Sequence, residues 1–431
     1  MQSIANESRE NEKLHSSISD LQNTIDPIRR DILKTGKSIL RKFRGEDFSS
    51  LNNLREWLKN FETSYQQIYS SHLFSETKKN VLKVNVVPAS YSASSPLVNG
   101  YEILNHLFDH LFTKYPNAVA FGEDVGKIGD VNQAFYQLQD KFGEVRIWDT
   151  GIREVTIMGQ GIGLALRGFR PIVEIQYLDY LVYGLIPMVD DMSTLQYRTK
   201  GIQKAPVIVR TRGHRLEGIW HTGSPLGMLI NSLRGMYLGV PRNMTQAAGM
   251  YNTLFQGDEP AIVIECLNGY RLKEQLPDNM SGFTVPFGIP EVLKEGDDIT
   301  LVTYGSCIRI AEVAIAQLEE VGVSVELIDV QTLLPFDIEH RIVESVKKTN
   351  RIVFLDEDVP GGATAYMFQK VFEEQGAYRY LDSEARTITS KNHRTAYASD
   401  GDYFCKPNAE NIFEVIYAIM NEADPESFPA L

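Results

Sequence analysis

The chain opens on apolar positions spaced for helices. Leu14, Ile18, Leu21, Ile25, Ile28 and Ile32 follow at intervals of 4, 3, 4, 3 and 4 residues, which places them on one helical stripe. Pro27 falls inside this run and predicts a kink or a restart. Gly45-Glu46-Asp47 breaks the pattern, and a second stripe follows at Leu51, Leu54, Leu58, Phe61, Tyr65 and Ile68. The pattern predicts a helical hairpin over 1–75 with one apolar face, to be buried against this chain or another. The strings SETKKN and PASYSASSP mark 76–96 as a linker.

From Leu97 the pattern changes to short apolar runs separated by longer helical ones. AVAFGEDV, EVRIWD, RPIVEIQY, APVIVR and PAIVIEC read as strands. Tyr101–Lys114, Glu154–Leu166 and Leu185–Tyr197 read as helices between them. That alternation predicts an α/β layer with a mainly parallel sheet over 97–278. Over 287–431, ITLVTYG, SVELIDV and RIVFLDE alternate with helices at Ile308–Glu320, Asp337–Lys348 and from Thr364. This is a βαβαβ unit with right-handed crossovers. The fold class is α/β, with two doubly wound domains preceded by a helical extension.

Composition narrows the function. At 431 residues, 43% hydrophobic and 23% charged, the chain is neither disordered, collagen-like nor a small disulfide scaffold. Its net charge of −13 repels phosphate backbones and argues against general nucleic-acid binding. Cys266, Cys307 and Cys405 are scattered and form no CxxC, so they read as reduced thiols rather than a zinc site or disulfides. No apolar run approaches the roughly 20 residues of a membrane span, and MQSIANESRENEKL has no apolar signal core. The expected location is the cytoplasm.

Each candidate site residue has a plain alternative. Glu123 and Asp124 end a strand, where open α/β sheets bind ligands; a solvated strand end reads equally well. Glu154 begins a helix, where the helix dipole alone favours a carboxylate. Gly159, Gly161 and Gly163 form GxGxG inside a helix, not at the strand–helix turn a dinucleotide fingerprint needs. They read as a close-packing surface, against a neighbouring helix or across a dimer interface. His106 and His110 are one helical turn apart, but no third ligand accompanies them. His214 and His221 lie in the glycine-rich stretch RTRGHRLEGIWHTGSP, a loop suited to an acid or base. Tyr177 and Tyr180 either stack on a planar ligand or fill core. Neither a Walker GxxxxGK[ST] nor a GxSxG is present.

These strings together carry a resemblance. FGEDVG, DTGIRE, GxxxGLALRGFRPIVEIQYLDY, PVIVRTRG, HTGSP, GDEPAIVIE, LVTYGS, ELIDVQTLLPFD and the GGATA after DEDV occur in order. From about Gly100 onward the chain resembles the beta subunit of the thiamine-diphosphate-dependent 2-oxo acid dehydrogenases. The resemblance implies a pyrimidine-binding domain followed by a C-terminal transketolase-like domain. It implies that Glu154 hydrogen-bonds a pyrimidine ring nitrogen of thiamine diphosphate and favours the imino tautomer. Tyr180 matches the aromatic packed on that ring, and Glu123 a strand-end acid in a network linking two active sites. His221 matches the loop histidine near the incoming lipoyl group. HRLEGIWH and TITSKNHRTAYA depart from the family pattern.

The GDG…N signature for magnesium and diphosphate is absent; Ser399-Asp400-Gly401-Asp402 is the nearest string. The resemblance therefore implies half an active site. An alpha subunit, or an N-terminal alpha half, would hold the diphosphate and Mg2+ in an alpha2–beta2 assembly with a beta–beta contact. ILKTGKSILRKF resembles the helical end of an alpha subunit, so the chain is read as the C-terminal part of an alpha–beta fusion. EIQYLDY leans toward branched-chain 2-oxo acids over pyruvate. The acidic surface suits a basic subunit-binding domain of a lipoyl acyltransferase core, docked on the C-terminal domain. The alternatives are another transketolase-like thiamine enzyme, such as an acetoin-cleaving one, and a non-catalytic docking subunit.

Overall fold

A computed structural model describes residues 4, 11–47, 49–214, 220–397 and 400–431. Most of the departure in HRLEGIWH, Ser399, and the side chain of Leu14 lie outside the described residues. The chain forms two compact units, Met1–Ser71 and His72–Leu431.

Among the described residues the first unit shows α1 (Asn11–Asn23), α2 (Arg29–Lys42) and α3 (Ser49–Ser70) where the pattern predicts a two-helix hairpin. Asp26 takes a left-handed backbone (φ 51°) just before Pro27, so the first stripe stops there. Ile25 and Ile28 are left exposed. Ile4, Ile18, Ile39, Phe43, Leu51, Leu54 and Leu58 make the core instead. On α3 the stripe holds through Leu58, but Ile68 is exposed.

Among the described residues the second unit carries three sheets. Its first strands are β1 (Leu97–Asn99), β2 (Ala118–Gly122), β3 (Ile147–Asp149), β4 (Arg170–Ile175), β5 (Ile208–Gly213), β6 (Tyr237–Gly239), β7 (Ala261–Cys266) and β8 (Lys273–Gln275). These are followed by β9 (Glu291–Lys294), β10 (Ile299–Thr303), β11 (Val325–Asp329), β12 (Thr332–Leu334), β13 (Ile352–Leu355) and β14 (Arg386–Ile388). A seven-stranded sheet has the order β12-β6-β7-β5-β4-β2-β3, and a five-stranded sheet the order β14-β13-β10-β11-β9. β1 and β8 pair as an antiparallel ribbon. All neighbours in the seven-stranded sheet are parallel except β12, which lies antiparallel on β6. β12 is therefore a strand from the C-terminal region built into the edge of the other domain's sheet.

Helices cover both faces, as a parallel sheet requires. After α4 (Gly100–Lys114) comes α5 (Glu154–Leu166), at the bounds the pattern predicts. The predicted helix Leu185–Tyr197 is not continuous. α6 (Leu181–Pro187) gives way to a wide π turn at Met188–Met192 and a short helix at Leu195–Arg198. Pro187 lacks the N–H that would continue the ladder, and the widened turn absorbs that loss. α7 (Met244–Gln256) is buried along almost its whole length. In the C-terminal region α8 (Cys307–Glu320) and α9 (Arg341–Thr349) cross between parallel strands. α9 starts later than Asp337 because Asp337 caps it, accepting from Arg341 N (2.8 Å) and Ile342 N (3.1 Å).

Candidate active site

The site forms at the carboxyl ends of β2, β4 and β5. The chain runs from β2 to the edge strand β3 and returns to β4 on the other side of β2. Strand order reverses there, which opens a crevice for a ligand. Glu123 and Asp124 follow β2, Gln176 and Tyr177 follow β4, and Glu154 starts α5.

Below this crevice lies a fully buried charge network. Arg210 donates to both oxygens of Glu265 (2.8 and 2.9 Å), to Asp130 (2.8 Å) and to Glu174. Arg212 binds Glu174 (2.8 Å) and Asp130 (2.9 Å). Burial pushes Glu174 up, against the pull of the two guanidiniums. Arg212 also donates to the Gln176 carbonyl (3.0 Å), and the Gln176 amide donates to Asp124 (3.0 Å). The network thus fixes the turn that presents Tyr177. Alternation along a strand predicts none of it, since Arg210 and Arg212 read as ordinary strand polar positions.

Above the turn, three rings meet. The His221 imidazole stacks on Tyr177, with centroids 3.7 Å apart and planes 3° apart. Tyr180 meets His221 edge-on at 5.3 Å. Tyr177 is thus bound into the site, as the residue His221 rests on. His221 has a left-handed backbone (φ 58°), a conformation that a non-glycine residue holds at a cost of order 1–3 kcal/mol. Close by, the backbone passes Asp179 so tightly that a Cβ on Gly223 would lie 1.9 Å from its Oδ1. Any side chain there would push the Asp179 carboxylate aside.

Glu154 is buried, with 9% of its surface exposed. No hydrogen bond to its carboxylate is formed among the described residues. Its neighbour Glu123 is half-buried. Burial pushes the Glu123 carboxyl up, and the charges of Glu154 and Asp124 push it further. Burial likewise raises Tyr180, whose phenol also senses Asp179 and Glu123. Glu123, Glu154, Tyr180 and His221 therefore belong to one neighbourhood.

Other candidates fall elsewhere. His106 and His110 are exposed on α4. His214 is fully buried away from the rings, against Asp356 and Ser306. In GxGxG, only Gly161 packs closely: a Cβ there would lie 2.7 Å from Val173 Cγ1. Gly159 and Gly163 face open space. The three cysteines are free and buried, and burial pushes Cys266 up to about 12.

This arrangement is a transketolase-like one. Residues 98–272 match the transketolase pyrimidine binding domain and 288–412 the transketolase C-terminal domain. A solved split-gene transketolase, an inactive beta4 tetramer, shares the fold at a TM-score of 0.61 and 18% identity. That match covers 75% of this chain and 99% of the other. The pyruvate dehydrogenase E1 component subunit beta of Acholeplasma laidlawii is 31% identical over 314 residues, covering 72% of this chain and 94% of that protein. The 2-oxoisovalerate dehydrogenase subunit beta of Bacillus subtilis is 32% identical over 244 residues, covering 56% and 74%. The corresponding pyruvate dehydrogenase subunit of Staphylococcus epidermidis is 35% identical over the same length and shares. The chain belongs to the beta-subunit family of the 2-oxo acid dehydrogenases.

Proposed function

We propose that this chain supplies the pyrimidine half of a thiamine diphosphate site in a 2-oxo acid decarboxylase, and passes the acyl group to a lipoyl group. The observation that carries this reading is Glu154: a side chain only 9% exposed, with no hydrogen bond from the described residues, in one neighbourhood with Glu123, Tyr180 and His221. Its carboxylate oxygens keep their acceptor capacity for a ligand donor. A protonated pyrimidine ring nitrogen would supply that donor, and the Tyr180 ring would supply a wall for its face.

Thiamine diphosphate would provide the electron sink for loss of carbon dioxide. The protein's own part is narrower. Glu154 would hold a proton on a pyrimidine ring nitrogen. Glu123 takes up a proton more readily than a free carboxyl, which relieves repulsion with Glu154. Tyr180 excludes water from one side. His221, propped by Tyr177, stands at the entry as the acid or base beside the arriving lipoyl group.

Ile152 (77% exposed), Tyr183 (61%), which lies against Tyr180, and Ile186 (71%) are exposed apolar side chains near Glu154 and Tyr180 in sequence, suited to an alpha subunit or N-terminal alpha half. That partner would hold Mg2+ and the diphosphate, and the chain alone would be inactive. A beta–beta contact, a cytoplasmic location and docking to a lipoyl acyltransferase core complete the reading. We place the domains at 97–278 and 287–431, after a helical extension (1–75) and a linker (76–96). Branched-chain 2-oxo acids are the favoured substrates, on the string EIQYLDY.

The test is decarboxylation by the chain with and without its alpha partner, with thiamine diphosphate, Mg2+ and an artificial electron acceptor. Activity should require both parts and favour branched-chain acids over pyruvate. In the assembled enzyme, Glu154→Gln should lower turnover at least about 100-fold. Unchanged turnover in that variant removes Glu154 from the chemistry.

A further inference from the structure

We propose that the carboxylate run Asp356–Glu357–Asp358, at the end of β13, positions His221 by seating the chain on both sides of it. This rests on the reading of His221 as the residue beside the lipoyl group. The run belongs to the C-terminal domain, whereas His221 belongs to the pyrimidine-binding domain.

All three carboxylates are buried, at 0%, 2% and 7% exposure. Each directs an oxygen at the same stretch of chain. Asp356 Oδ1 accepts from His214 Nε2 at 2.8 Å. The other ring nitrogen, Nδ1, accepts the Ser306 N–H at 2.9 Å, so the imidazole proton sits on Nε2, facing Asp356. The Ser306 hydroxyl also donates to the His214 carbonyl. With both nitrogens occupied, the cluster of His214, Cys307 and Asp356 is a hydrogen-bonded clasp rather than a metal site.

On the other side of His221, the Ser224 hydroxyl donates to Glu357 Oε1. Glu357 Oε2 in turn accepts from the buried Lys406 Nζ at 3.1 Å. Asp358 Oδ2 accepts the Gly227 N–H at 3.2 Å. His214 lies seven residues before His221 and Ser224 three after it. Both ends of the histidine-bearing stretch are thus tied to successive residues of one strand terminus, while Tyr177 supports the ring from the front.

A domain boundary needs no such construction. Apolar contacts would seal it, and three adjacent buried carboxylates carry a desolvation cost of several kcal/mol each. Directional bonds, unlike apolar contacts, fix where the stretch starts and stops. A misplacement of about 1 Å at a reacting group lowers rate by up to 100-fold. Asp356, Glu357, His214 and Ser224 are accordingly positioning residues.

The experiment uses the chain assembled with its alpha partner and a lipoylated acceptor domain. Ser224→Ala should lower kcat for lipoyl acylation about 10-fold, leaving KM for the 2-oxo acid within about twofold. Ser224→Thr, which keeps the hydroxyl, should restore the rate. In a His221→Ala background, Ser224→Ala should cost less than about twofold, because the two act through one group. Asp356→Asn, which keeps an acceptor for His214, provides a second variant with the same expected non-additivity. Full additivity, or no loss in Ser224→Ala while the wild type transfers acyl groups, overturns the proposal alone. A wild-type enzyme that decarboxylates but never acylates lipoyl groups overturns the reading of His221 and this proposal with it.

Discussion

Single carboxylates show best how the folded environment decides chemistry. Glu154 and Asp358 are both acids at the ends of parallel strands or the starts of helices, and the sequence treats them alike. Burial, followed by the charge of Asp356, raises Asp358 from 3.8 to about 6. The native state therefore keeps a proton that the unfolded chain loses first. Stability from this group falls as pH rises from about 4 to about 6, then levels off, by at most about 3 kcal/mol. Denaturant midpoints for the wild type and Asp358→Asn across that range should diverge, with the wild type losing ground as pH rises and the gap constant above pH 7. A gap that does not change with pH contradicts the assignment. At this scale the sequence leaves much open. Glu154 as a helix-start acid and Tyr177 as core are both sensible readings, because neither spacing nor residue type reveals that a ring from 44 residues later lands on Tyr177.

Elements were legible in proportion to how asymmetric their surroundings are. α5 has an exposed face and a buried face, and its bounds follow from the breaks at DTGIRE and RGFR on either side. α7 is buried all round, so no stripe marks it, and β6 and β12 are three residues each, too short for alternation to register. Pro27 was visible as a break, but a break alone does not tell a kink from a new helix. The glycines of α5 give an element-level test. Gly161→Ala would press a methyl to 2.7 Å from Val173 Cγ1. The strain of about 1–3 kcal/mol should outweigh the gain in helix propensity of about 1 kcal/mol. Gly163→Ala meets nothing within 4 Å, so the isolated chain should gain about 1 kcal/mol. If that face packs closely on a partner, the same variant should weaken assembly in sedimentation analysis. Equal thermal shifts for the two variants would show that α5 is not held against the sheet as described.

At the scale of the molecule, the order of strands and helices gave the α/β class, and the candidate site is the one expected at the strand ends. The connection between sheets was not legible, because β12 lies beyond the pattern's apparent boundary. Its pairing has a consequence for dissection. A fragment ending near residue 286 would keep the first domain's sequence but lose its last strand. Tyr237–Gly239 would then present bare N–H and C=O groups along a flat apolar margin, a template for self-association. The fragment 72–286 should precipitate or form soluble aggregates on size-exclusion chromatography, whereas 72–431 should elute as a defined species. Recombination between relatives meets the same obstacle. A crossover in the 279–286 stretch, which looks like a natural seam, would unite a sheet with a closing strand selected for a different margin. Viable chimaeras should instead exchange β6 and β12 together, so the unit of inheritance here is larger than the domain.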